Sequence, residues 1–106
     1  MDLIDKLKSI DLFDLYGSLL TDGRREVMAR YLYDDCALSE IATDLGQSRQ
    51  AVYDAISSSE KQLARFEEKL GFLAARKLIY AEIDACLDES DLDKIKARLN
   101  KIKNNL

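Results

Sequence analysis

The chain contains no proline, no histidine and no tryptophan, and only four glycines and two cysteines among its 106 residues. Without proline every segment is free to be helical, and few glycines leave few built-in interruptions. Without histidine the chain lacks the commonest general base and the commonest metal ligand. Cys36 and Cys86, far apart in the chain, make an incomplete zinc set and read as small core residues. No glycine-rich phosphate loop and no paired catalytic carboxylate motif is present. A non-enzymatic protein with no cofactor and no bound metal is expected. No apolar run approaches the roughly 20 residues that cross a bilayer, which excludes membrane insertion. Asp2 and Asp5 interrupt the opening segment where an export signal needs an apolar run, so the expected location is cytoplasmic, with both thiols reduced.

What remains is a normal globular composition, 47% apolar, of a length that suits a single domain over residues 1–106. The formal charge is −4, which repels a polyanion overall. Its distribution is uneven: residues 1–46 sum to −5, 47–81 to +2, 82–93 to −6 and 94–106 to +5. The acids Asp84, Asp88, Glu89, Asp91 and Asp93 lack the regular spacing and turn glycine of a calcium loop and read as a solvated face.

Helical periodicity runs through the whole chain. Ile4, Leu7, Ile10, Phe13, Tyr16 and Leu20 define a first helix that Gly17 weakens without ending. Thr21 is an N-cap for a second helix, with Val27, Met28, Tyr31 and Leu32 inward and an end near Asp34. Leu38, Ile41, Ala42 and Leu45 share one face of a short third helix, and Gly46 stands where a left-handed residue would end it. Ser48 can cap the next helix at once. A helix, a short turn containing glycine and a second capped helix form the helix-turn-helix layout.

From Ser48 the pattern continues through Val52, Ile56, Ser59, Leu63, Phe66 and Leu70, a coiled-coil-like seam with one polar position. A helix of about 22 residues, roughly 33 Å long, outruns a minimal DNA-reading unit and needs a cover for its second half. Phe72, Ala75, Ile79, Ile83 and Cys86 or Leu87 offer a wide stripe on a fifth helix that could supply it. Ser90 and Asp93 form a capping-box pattern ahead of a sixth helix, with Leu92, Ile95, Leu99, Ile102 and Leu106 on one stripe. The expected fold is all-α: five or six helices, a helix-turn-helix core over 19–71 with a long recognition helix, and a helical extension over 72–106.

Were the fourth helix to enter a major groove, its outward residues would be Arg49, Gln50, Tyr53 and Asp54, opposite Val52 and Ile56. Arginine pairs bidentately with guanine and glutamine with adenine, while an aspartate accepts from the cytosine amine. Phosphate contacts would come from Arg24 and Arg25 on the second helix, from Ser48, and from Lys61, with Arg30 and Arg65 as further cations. Gln47 stands where a buried valine or isoleucine is usual and predicts a looser turn. The apolar stripes beyond Ile56 raise another possibility, a surface that binds a partner or pairs two copies in a homodimer.

The run "LLTDGRREVMARYLYDDCALSEIATDLGQSRQAVYDAISSSEKQLARFEEKLG", residues 19–71, resembles the YlxM family of small bacterial helix-turn-helix proteins associated with the signal recognition particle. It is similar, more distantly, to the fourth conserved region of bacterial sigma factors, whose helix-turn-helix binds promoter DNA. That second resemblance places Arg49, Gln50 and Asp54 at base-contacting positions. The first implies a regulator whose gene commonly neighbours those for the particle's GTPase and its receptor. Gln47, usually valine in the family, and Ala55, usually polar, depart from the pattern. Two readings follow: a helix-turn-helix regulator of the signal recognition particle pathway that binds double-stranded DNA, or a module of the same fold that binds the particle's GTPase or receptor instead. RNA is a weaker third, since no aromatic stacking platform on a basic surface is visible.

Overall fold

The computed structural model describes residues 3–106, with side chains from Asp5 onward, so the Ile4 side chain of the expected first stripe lies outside the described residues. Six α-helices and one short 3₁₀ turn account for its regular structure, with no strand among the described residues. The helices are α1 (Leu3–Tyr16), α2 (Asp22–Leu32), α3 (Leu38–Leu45), α4 (Arg49–Leu70), α5 (Phe72–Leu87) and α6 (Leu92–Asn104). The chain divides into two compact units, residues 1–70 and residues 71–106.

In the first unit α4 is the spine against which α1, α2 and α3 pack. The α4 seam behaves as its spacing predicts in the first part: Val52, Ile56, Ser59 and Leu63 are buried. They meet Val27, Met28 and Leu32 of α2 and Ile41 and Ala42 of α3 in one core. Further along α4, the cover comes from α1. The Tyr16 hydroxyl donates to Glu67 Oε1 at 2.6 Å, and the Tyr16 and Phe66 rings lie 6.0 Å apart. That part of α1 is its C-terminal half, which buries Leu12, Phe13 and Tyr16.

Two details of α1 differ from the sequence reading. Leu7 is exposed and Leu12 takes a core position. Gly17 does end the helix: α1 stops at Tyr16 and Gly17–Leu19 form a 3₁₀ turn. The position requires glycine, because a Cβ there would stand 2.9 Å from the ring carbons of buried Phe13. Phe13 is held in turn by Tyr33, edge to face at 5.4 Å. Burial and the hydrogen bond that the Tyr33 hydroxyl donates to Asp14 push the phenol up to about 12.

Thr21 caps α2 as expected, its hydroxyl accepting from Arg24 N. Beyond α2 the chain turns through Asp35, whose left-handed backbone (φ 53°) is one that aspartate tolerates better than most residues. Lys6 pairs with the Asp35 carboxylate and holds it below the usual carboxylate range.

The second unit is an antiparallel hairpin of α5 and α6. Glu82 of α5 is 7% exposed and sits between two cations of α6, with Arg98 at 3.1 Å and Lys101 at 2.9 Å. The Lys101 hydrogen bond, with help from Arg98, holds its carboxyl below the ordinary range despite burial. Asp91, rather than the expected Ser90, caps α6, because its carboxylate accepts from both Asp93 N and Lys94 N. The apolar stripes predicted for α5 and α6 form at the right spacing but stay open. Leu73 is the one buried apolar residue of the unit, and α6 buries none. Cys36 and Cys86 are free and half-buried rather than core residues. Burial, with Glu40 and Asp34 nearby, pushes the Cys36 thiol up.

Candidate nucleic-acid interface

Three residues, Gly46 to Ser48, separate α3 from α4. Gly46 adopts the left-handed conformation (φ 65°) that an L side chain resists. Gly46 N donates to Thr43 O at 3.4 Å and Gln47 N to Ala42 O at 2.9 Å, the paired bonds of a Schellman ending. Backbone bonds therefore close the turn, and the exposed Gln47 side chain does not have to hold it together. At the other end of α3, Ala37 N donates to Glu40 Oε1 at 3.3 Å, half of a capping box whose other half alanine cannot supply. Ser48 Oγ accepts from Ala51 N at 3.0 Å and starts α4 immediately. This is the helix-turn-helix arrangement, with a small buried Ala42 where α3 and α4 approach.

Arg49, Gln50, Tyr53 and Asp54 are all exposed on the first two turns of α4, opposite buried Val52 and Ile56. Arg49, Gln50 and Tyr53 line one shallow depression together with Leu38 of α3. Gln50 and Asp54 are not independent, since Gln50 Nε2 donates to Asp54 Oδ1 at 2.9 Å.

The cations expected to touch phosphates fare differently. The Arg24 guanidinium is half-buried and donates to Gln62 Oε1 of α4 at 3.0 Å, so it ties α2 to the spine. Arg25 lies 3.5 Å from Asp22, and Arg30 is shared between Glu26 at 3.2 Å and Asp44 at 3.1 Å. Lys61 is exposed about two turns beyond Asp54 on α4, and the Ser48 hydroxyl is the helix cap.

A groove of about 370 Å³ beside α4 was not foreseen; Tyr31, Leu38, Arg49, Tyr53, Ile56, Ser57 and Glu60 line it. The signal was present in the spacing: Arg49, Tyr53, Ser57 and Glu60 continue one outward line along the helix. Burial, with Asp5 adding to it, pushes the Glu60 carboxyl above the ordinary range. No group of three metal-ligating side chains occurs among the described residues, and none of their helices is long and apolar enough to cross a membrane.

Fold and turn define the chain as a helix-turn-helix protein. A family model described as "Putative helix-turn-helix protein, YlxM / p13 like" matches residues 3–104. A UPF0122 protein of Listeria welshimeri is 38% identical over 98 residues, which cover 88% of this chain and 89% of its own length. One of Symbiobacterium thermophilum is 39% identical over 95 residues, covering 87% and 89%. Another, of Halalkalibacterium halodurans, reaches 49% over 73 residues, covering 68% and 67%. The chain belongs to this YlxM/p13-like UPF0122 family.

Proposed function

We propose that the protein is a non-enzymatic, cytoplasmic regulator of the signal recognition particle pathway that binds double-stranded DNA through the N-terminal turns of α4. The observation that carries the DNA reading is the set of four exposed residues, Arg49, Gln50, Tyr53 and Asp54, presented on one side of a helix that starts directly after a rigid three-residue turn. That is the geometry by which recognition helices reach base edges. The pathway rests on the family resemblance alone. Arg49 would read guanine, Gln50 adenine, and Asp54 a cytosine amine, while Tyr53 packs against a thymine methyl. Phosphate anchoring is sparse in this reading, with Lys61 and the α4 N-terminus as its main contributors, since Arg24, Arg25 and Arg30 already have protein partners.

The experiment is selection from a randomised duplex pool, followed by titration over a salt series. A shallow dependence is expected, the log of the binding constant falling with log salt at a slope of about −2 to −3, as for two or three phosphate contacts. Arg49→Ala should cost about 1–3 kcal/mol on the selected site and relax the preference at one base pair. Unchanged affinity and preference in Arg49→Ala and Gln50→Ala would defeat base reading.

One observation favours a second reading, a protein partner. Residues 1–70 carry nine basic and fourteen acidic residues, and Glu40, Asp44 and Asp54 flank the turn itself. In that reading the same face binds a basic surface on the particle's GTPase or receptor. Binding to those proteins that survives in an Arg49→Ala variant, with no duplex selected, would favour it.

A further inference from the structure

We infer that the α5–α6 hairpin is a homodimerisation element, in which two hairpins pack antiparallel about a two-fold axis to form a four-helix bundle. This goes beyond the reading of α4 and does not depend on it. A segment below about 40 residues usually needs a disulfide, a metal or association to fold by itself. Here Leu73 is its one buried apolar residue. Both helices nevertheless form in full, and a groove of about 480 Å³ runs along α5 to Leu106, with Ile79, Tyr80 and Ile83 among its walls.

Tyr80, Ile83 and Leu87 on α5 and Leu92, Leu99 and Leu106 on or beside α6 are each 41% exposed or more. Covering them removes on the order of 800 Å² per partner, the size of a standard interface. Leu92, Leu99 and Leu106 recur every seven residues, the spacing of a helical seam.

Charge selects a second copy as the occupant. The bonds from Glu82 to Arg98 and Lys101, and from Cys86 Sγ to Ile95 O, fix α5 and α6 as antiparallel neighbours. The turn end then gathers the acids Asp84, Asp88, Glu89, Asp91 and Asp93 against only two lysines, Lys94 and Lys96, and is net acidic, while the open end holds Arg76, Lys77, Lys101 and Lys103. A two-fold antiparallel pairing is isologous, so each acidic end meets a basic end, and both meetings occur in every dimer. A parallel pairing would set like charges against each other.

The test is sedimentation equilibrium of the full chain from about 1 to about 100 µM, the range over which mass action separates a micromolar dimer from a monomer. The expected result is a mass approaching twice 12.1 kDa at the upper end. Ile83→Lys should weaken association at least about tenfold, equivalent to about 1.4 kcal/mol. Because Ile83 is exposed, the cooperative melting of residues 1–70 should survive that change and show that the variant is folded. Two charge variants make the geometry specific: Asp84→Lys with Asp88→Lys at the acidic end, and Lys77→Glu with Lys103→Glu at the basic end. Each alone should dimerise poorly, and their mixture should form heterodimers more tightly than either forms homodimers. A monomer at every concentration overturns the inference, whether the face is then covered by its own chain or by a foreign protein. So does a mixture of the charge variants that associates no better than its components.

Discussion

Residues 1–70 and residues 71–106 are built from the same kind of amphipathic helix, yet one half buries its stripes and the other leaves them open. In the first, α1, α2 and α3 each present an apolar face to a single helix, so Val52, Ser59 and Leu63 of α4 are excluded from water. In the second, α5 and α6 pack on each other, and two cylinders in contact bury one line of side chains apiece. The difference teaches that apolar periodicity specifies a helix and a face, while burial depends on how many other faces are available to meet it.

The largest effect should come from Leu63→Ala, fully buried in the α4 seam. It is expected to cost about 2–5 kcal/mol in urea denaturation. The matching change in the hairpin, Leu99→Ala, should cost less than about 0.5 kcal/mol when dilute, and more at concentrations where the hairpins pair. Equal costs for the two at low concentration would erase the contrast between the halves.

Gly17→Ala comes next. Its new methyl meets a Phe13 ring that Tyr33 pins on the other side. A loss of about 1–3 kcal/mol is expected, as for other overpacked cores. Ser59→Ala should act in the opposite direction. The Ser59 hydroxyl is buried without a hydrogen-bond partner, and removing it should stabilise the first half by about 1 kcal/mol.

The smallest effects are pH-dependent and of opposite sign in the two halves. The Glu82 carboxyl is held below its ordinary value of 4.5, so its contribution is present above that value and is lost as pH falls through the lowered one. Melting of the hairpin, followed by the circular dichroism of α5 and α6, should therefore weaken in acid, and Glu82→Gln should remove that dependence. Glu60 is shifted upward by burial. It favours folding below its unfolded value and loses that contribution as pH rises through the folded one. Glu60→Gln should then raise the melting temperature near neutral pH and make no difference in acid. A melting temperature unmoved near pH 7 would show that water reaches Glu60 freely.

The turn chemistry was open to reading from the residues alone. Gly46, Ser48 and Thr21 are local signals, each deciding its own conformation with bonds to residues within five positions, and all three act as their types require. Tertiary partners decided the rest. Nothing local distinguishes Leu7 from Leu12 until α1 meets α4, whereas the Asp91 cap of α6 is itself local, its carboxylate accepting from amides two and three residues on. The four outward residues of α4 could be named because helical spacing fixes them. The engagement of Arg24 with Gln62, and of Arg30 with Asp44, could not, because each spans two helices whose approach the sequence does not encode locally.

The Gln50–Asp54 hydrogen bond bears on selectivity in a way that neither residue does separately. In the free protein each satisfies the other, so the pair acts as an internal competitor for whatever approaches α4. A duplex that offers an adenine edge to Gln50 but nothing to Asp54 gains one bond and forfeits another. Under the proposed DNA reading, a target that satisfies both in register would gain without forfeit, and such a face would reject half-matches that two solitary side chains would accept.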